Sequence, residues 1–232
     1  MNINTREWPG MMPGPLPDTG VAIWLVVLAE VPPLDCLSQD ERIRAAAAID
    51  PLVGERYRAA RRALRLILAA ALGQNPADLL FSYGPARQPH LAWPEASGIA
   101  FSLSYREGVA LVALSRAGPV GVDLETIDPS IPAFDIAASE FASAEVRELA
   151  SASEEALAHN FTQMWVRKEA IAKMSGKGLW EGLSSLPADH GAHAHWHDLS
   201  DLPQGFAGAW ASEAAPALIT QARCVFTRPP GG

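Results

Sequence analysis

Two short stretches carry the residue types that do chemistry. Gly121-Val122-Asp123-Leu124-Glu125 falls in a predicted strand over residues 120–125. Side chains alternate across a strand, so Asp123 and Glu125 project from one face while Val122 and Leu124 project from the other. Two adjacent carboxylates repel unless a cation lies between them. Hard oxygen ligands at this density suit Mg²⁺, which takes one or two carboxylates together with substrate phosphates and water; the plainer alternative is an exposed acidic face. The second stretch, Trp165-Val166-Arg167-Lys168-Glu169-Ala170-Ile171-Ala172-Lys173, has helical periodicity. Glu169 and Lys173 are spaced i, i+4 and share a face along the border of the apolar stripe. They form either an ordinary surface pair, or a third metal ligand or general base (Glu169) with an ammonium aimed at a phosphate (Lys173). Gly176-Lys177-Gly178 then closes the helix and permits close backbone approach to a ligand.

The cations are unevenly used. Of 18 basic residues 15 are arginine, and the three lysines, Lys168, Lys173 and Lys177, fall within one ten-residue window. A chain that otherwise prefers the guanidinium fork suggests a need for compact ammonium donors there. Arg58, Arg61, Arg62 and Arg65 recur at spacings of three and four, which gathers them within about a 100° arc of one helix. That cluster is either a solvated basic face or a surface for polyphosphate or an acidic protein. His193, His195 and His197 alternate; on a strand they would share a face and could take zinc or nickel, with His190 or Asp198 assisting, against a solvated His-rich edge. The sequence holds no Gly-x-Ser-x-Gly elbow, no Gly-x-x-x-x-Gly-Lys loop and no dinucleotide fingerprint.

The elements that position these residues follow from patterning. With 232 residues, 49% hydrophobic and 19% charged, the chain has the apolar content for one large domain or two small ones. A net charge of −8 argues against nucleic acid as a partner. Two distant cysteines fit a reducing cytoplasm, the N-terminus has no signal-peptide pattern, and the apolar run over residues 21–29 is far below the ~20 residues of a membrane span. Residues 21–28 read as a buried strand. Asp50-Pro51 reads as a helix start, with a helical pattern over 55–72 ended by Gly73. Strands at 100–104 and 109–114 read as a hairpin turning through Tyr105-Arg106-Glu107-Gly108. A helix follows near 143–150. Ser151 to Glu154 has the spacing of a capping box opening a long helix to about Met174, with a stripe of Leu157, Phe161, Met164, Trp165 and Ala172. The remainder reads as short strands and loops. The Gly118-Pro119 break divides the chain into halves 1–118 and 119–232, the second carrying the carboxylates.

Taken in order, Gly121-Val-Asp-Leu-Glu125, Trp165-Val-Arg-Lys-Glu-Ala170 with Lys173, and Gly176-Lys-Gly-Leu179 resemble the surfactin-synthetase-activating type of 4′-phosphopantetheinyl transferase. The resemblance extends through Arg62-Ala-Leu-Arg65, Phe101-Ser-Leu-Ser104 and the strand at 109–114. It implies an α+β fold: a pseudo-dimer of two similar subdomains, each a small, mainly antiparallel sheet packed against a long helix. Further, it implies Mg²⁺-dependent transfer of phosphopantetheine from coenzyme A to a serine of an acyl, polyketide or peptidyl carrier protein, releasing 3′,5′-ADP. Carried over by position, Asp123, Glu125 and Glu169 hold Mg²⁺, Lys173 contacts phosphate and Glu169 helps deprotonate the serine. Arg58, Arg62, Arg87, Ser104, Tyr105, Lys173 and Lys177 are the expected coenzyme A contacts. The chain departs from the family pattern at Arg87-Gln88-Pro89, where Gly-Lys-Pro is usual, and at Tyr105-Arg106, where His-Ser is usual. Arg62, Arg87 or Arg106 can replace the missing cations. A non-catalytic relative that binds coenzyme A or a carrier is the alternative. An internal pseudo-dimer makes a monomer sufficient.

Overall fold

The computed structural model describes residues 10–84, 88–94, 97–176, 183–186, 194–213 and 215–226. Its layers follow from strand β2 (Gly20–Val27), which is buried along its whole length. Ala22, Trp24 and Val26 join one apolar cluster and Val21, Ile23 and Leu25 another. A strand covered on both faces has no polar side to alternate, so it reads as a continuous apolar run.

The first sheet has the order β1-β10-β2-β6-β5, with β1 at Gly10–Met11, β5 at Ala100–Arg106, β6 at Val109–Ser115 and β10 at Leu218–Cys224. Strands β5, β6 and β2 are antiparallel neighbours, whereas β10 runs parallel to β2 and β1 parallel to β10. The outer face of this sheet is covered by the 22-residue helix α2 (Pro51–Leu72), whose Ala60, Leu64, Ile67 and Leu68 enter the first cluster. The helix starts with Asp50 accepting from the Leu52 amide at 2.8 Å and Pro51 in its first turn, and ends at Gly73 with φ 63°.

A second, three-stranded antiparallel sheet has the order β7-β9-β8, from Val120–Thr126, Phe206–Ser212 and His195–Asp198. Val122, Leu124, Phe206 and Trp210 face the first sheet through the second cluster. The alternate residues Ala207, Ala209 and Ala211 face the 22-residue helix α5 (Glu154–Ser175). The layers therefore run helix, sheet, sheet, helix. On its other side α5 buries Phe161 and Met164 against helices α3 (Ala133–Glu140) and α4 (Ser143–Ala150). The fold is mixed α+β. Among the described residues no helix is long and apolar enough to cross a membrane.

Several sequence expectations are corrected locally. The β5–β6 turn is tighter than expected: Tyr105 and Arg106 stay in β5, paired with Ala110 and Val109, so that only Glu107 (φ 51°) and Gly108 turn. Ser151 does not open α5. Its amide and hydroxyl both reach back to the Glu148 carbonyl, closing α4, and α5 begins after Ser153. Helix α1 (Gln39–Ala46) was not anticipated, although Ser38 and Glu41 form a reciprocal capping box at its start. Helix α3 and the small hairpin β3–β4 (Leu80–Tyr83, Pro89–Trp93) were not anticipated either.

Candidate active site

Gly121 sets the distance between strand β7 and helix α5. A Cβ on Gly121 would lie 1.9 Å from the Ala170 carbonyl oxygen and 2.6 Å from the Met174 amide nitrogen. Only the missing side chain lets the two backbones touch. Two residues along β7, this contact brings Asp123 to Lys173, whose ammonium donates to Asp123 Oδ1 at 2.6 Å and to the Val122 carbonyl at 3.3 Å.

The other side of β7 is held by hydroxyls. Ser102 Oγ accepts from the Val122 amide at 3.1 Å and Ser104 Oγ from the Leu124 amide at 3.3 Å. Ser104 also donates to Asp123 Oδ1 at 2.8 Å. The two sheets are thus stitched by serine side chains where the backbone ladder does not continue, and one stitch orients the carboxylate. Asp123 is buried, and its second oxygen, Oδ2, has no hydrogen-bond partner. An orphaned carboxylate oxygen away from water is costly unless a ligand completes it.

Glu125 and Glu169 complete an acidic focus. Burial pushes the pKa of each carboxyl above the ordinary carboxylate range, and the neighbouring Asp123 charge adds to both. Lys173 acts in the opposite direction on both; Arg106, 3.0 Å from Glu125, does so on Glu125 alone. Among the described residues no three His, Cys, Asp or Glu side chains are drawn into a closed cation cage. Asp123 Oδ2 offers a free hard oxygen, and Mg²⁺ takes only one or two carboxylates when phosphates and water supply the rest. The donor set fits that ion on those terms.

A family model described as the 4′-phosphopantetheinyl transferase superfamily matches residues 119–214, the segment holding β7 and α5. The Synechocystis sp. protein named "putative 4′-phosphopantetheinyl transferase slr0495" is 33% identical over 185 residues, which cover 80% of this chain and 74% of its own. This chain belongs to the 4′-phosphopantetheinyl transferase superfamily. The phosphopantetheinyl transferase HetI of Nostoc sp. is 34% identical over 144 residues, 62% of this chain and 61% of its own. The phosphopantetheinyl transferase AcpT of Salmonella typhimurium is 29% identical over 152 residues, 64% and 77% respectively.

Other expected site residues are dispersed. Arg61 and Arg65 are buried and both bind the buried Glu41, at 2.6 and 2.8 Å; Arg65 also donates to the Pro76 and Leu79 carbonyls. They serve the packing of α1 on α2, so the four-arginine face does not exist as a phosphate surface. Arg58 pairs with Glu55 at 2.6 Å, and Arg62, half-buried, has a partnerless Nε. Lys168 is fully buried, bound to Glu145 at 2.8 Å, and is no phosphate donor. Arg87, Lys177, His190 and His193 lie outside the described residues. His197 stacks on Trp210, and Asp198 accepts two bonds from Arg167 and one from Gln163, which occupies it without a metal.

Ser104 and Tyr105 point to opposite faces of β5. Ser104 serves Asp123, while Tyr105 packs toward α2. There a cleft of ≈ 390 Å³ is lined by Asp40, Arg44, Tyr57 and Tyr83. Burial raises the pKa of the Tyr57 and Tyr105 hydroxyls, and Arg44 and Arg61 act on both in the opposite direction. The chain's three tyrosines thus gather near Arg44. Sequence reasoning missed Arg44, Tyr57 and Tyr83, which lie far apart in the chain and share no motif. Ser102 was findable, since Ser102 and Ser104 are two hydroxyls on one face of an apolar strand.

Proposed function

We propose that this protein transfers 4′-phosphopantetheine from coenzyme A to a serine of a carrier protein in a Mg²⁺-dependent reaction, in the manner of the surfactin-synthetase-activating type. The observation that carries this reading is the convergence of Asp123, Glu169 and Lys173 across the Gly121 contact, with Asp123 Oδ2 unsatisfied. Asp123, Glu125 and Glu169 would hold the ion, which neutralises charge on the pyrophosphate when bound. Lys173, which donates to Asp123 Oδ1 at 2.6 Å, would supply an ammonium to a phosphate oxygen of the substrate. Glu169, its pKa raised toward the working range of a general base, accepts the proton of the carrier serine, directly or through one water. The serine oxygen forms a new P–O bond while the bond to the departing 3′,5′-ADP breaks, a reaction in which the protein mainly positions groups and offsets charge.

At the nucleotide end of coenzyme A, Arg62, Arg87 or Arg106 would stand in for the missing Lys and His, with Arg58, Tyr105 and Lys177 as further contacts. The cleft lined by Asp40, Arg44, Tyr57 and Tyr83 would receive that end. Gln88, at the position of the missing Lys, instead donates to the Lys173 carbonyl at 2.6 Å and steadies the end of α5. The chain is read as two similar halves, 1–118 and 119–232, each with a sheet under a 22-residue helix and β10 crossing back to the first sheet, sufficient as a cytoplasmic monomer. Intact mass measurement of apo carrier proteins incubated with this protein, coenzyme A and Mg²⁺ tests the proposal. A phosphopantetheine-sized gain lost with a chelator is expected. Carrier or coenzyme A binding without any gain would favour a non-catalytic relative instead.

A further inference from the structure

Lys168 is an anomaly that the transfer chemistry does not absorb. On α5 it lies in the middle of the stripe formed by Leu157, Phe161, Met164 and Trp165, all of which pack in the α3–α4 cluster. A leucine or methionine there would complete an apolar core. Instead a fully buried ammonium is satisfied by three acceptors: the Glu145 carboxylate on α4 at 2.8 Å, the Leu183 carbonyl at 2.9 Å and the Leu186 carbonyl. The ring of Phe141 lies 5.3 Å away. A buried charge with this many directional bonds constrains geometry more than it adds stability, since well-packed apolar residues often replace such pairs without loss.

Geometry shows what is constrained. At 100° per residue, Glu169 and Lys173 lie about 100° and 140° around the helix from Lys168. One flank of α5 is pinned by the Gly121 contact to the Ala170 carbonyl and Met174 amide. Lys168 pins the opposite flank, to α4 and to residues 183–186. We infer that Lys168 is a positioning residue, fixing the rotation of α5 that presents Glu169 and Lys173 to Asp123; this rests on the transferase reading above. A rotation of about 10° moves a side chain about 5–6 Å from the helix axis by about 1 Å. A displacement of that size at a reacting group costs on the order of 10²-fold in rate.

The test is Lys168→Met in the full chain, with Leu68→Ala, in the α2 core, as a destabilised control remote from the site. For Lys168→Met, kcat is expected to fall about 10²-fold with KM for coenzyme A within about twofold, and the peptide over residues 183–186 should exchange amide hydrogen faster. Mg²⁺ titrated without substrates should raise Tm less than in wild type. The double variant Lys168→Met/Glu145→Gln removes the buried negative charge that has lost its ammonium, keeps an oxygen for the Ala142 amide, and should regain part of the lost Tm while remaining slow. Leu68→Ala should lose Tm and keep kcat. Wild-type kcat in folded Lys168→Met, or recovery of kcat together with Tm in the double variant, would overturn the inference. If Lys168→Met does not fold, Glu145→Gln alone carries the test, with a smaller kcat loss expected and unchanged kcat refuting. Absence of transfer by the wild type would sink the transferase reading instead, and the exchange and Mg²⁺ measurements, which need no turnover, would still decide the role of Lys168.

Discussion

Gly121→Ala is the sharpest perturbation of the site that removes no charged group. The new methyl carbon would sit 1.9 Å from the Ala170 oxygen and 2.6 Å from the Met174 nitrogen, both backbone atoms with no rotamer to yield. Restoring an ordinary contact of 3.4 Å to the Ala170 oxygen requires β7 and α5 to separate by about 1.5 Å. Overpacking of this kind costs about 1–3 kcal/mol, which at a urea m-value of about 2 kcal/mol/M lowers the unfolding midpoint by about 1 M. The same displacement moves Asp123 off Lys173 and Glu169, so transfer should slow by about 10²-fold, chiefly in kcat. Urea unfolding followed by circular dichroism, and initial rates on one carrier protein, give the two numbers. Gly14→Ala is the matched control, because nothing lies within 4 Å of its Cβ position. A Gly121→Ala variant with the wild-type midpoint and rate would refute the idea that backbone contact sets the spacing of the site.

Three further outcomes follow from the same geometry. Asp123→Ala and Glu169→Ala should each abolish transfer while leaving the circular dichroism spectrum unchanged; wild-type rates in either would remove that residue from the site. Burial and the Asp123 charge raise the pKa of Glu169, so the folded state holds its proton more tightly than the unfolded state. Stability from this group is therefore present below the ordinary carboxylate range and lost as pH rises through the raised folded value. Between those limits Tm should fall more steeply with pH for wild type than for Glu169→Gln, and parallel curves would contradict the assignment. Gln88→Ala deletes one bond to the α5 terminus, worth about 1 kcal/mol. Its Tm should drop by about 2–4 °C with only a small change in rate, and no shift would mean the bond contributes nothing.

Legibility in the sequence divided along a physical line. Features encoded within one element were readable. The alternation that puts Asp123 and Glu125 on one face of β7, the Asp50-Pro51 start and Gly73 end of α2, and the i, i+4 pair on α5 all came from local rules. Features that depend on what a distant element brings were not. A helical wheel groups Arg61 and Arg65 with Arg58 and Arg62, and nothing local reveals that Glu41 of α1 reaches across to neutralise the first two. Charge alone places Lys168 at a surface, while its three acceptors come from α4 and residues 183–186. Ser104 reads as a strand residue until β7 arrives to use both its lone pair and its proton. Helix α1 is a different case: its Ser38–Glu41 signature was present, in a segment of only eight residues whose apolar periodicity is weak.

The most direct test is the mass of an apo carrier protein after incubation with this protein, coenzyme A and Mg²⁺, set beside the same reaction with Asp123→Ala. A phosphopantetheine-sized gain on the carrier serine with wild type, absent with the variant and with chelator, is the predicted result. An unmodified carrier across fatty-acid, polyketide and peptide types, with the protein folded and coenzyme A bound, would contradict the catalytic reading and leave a binding protein in its place.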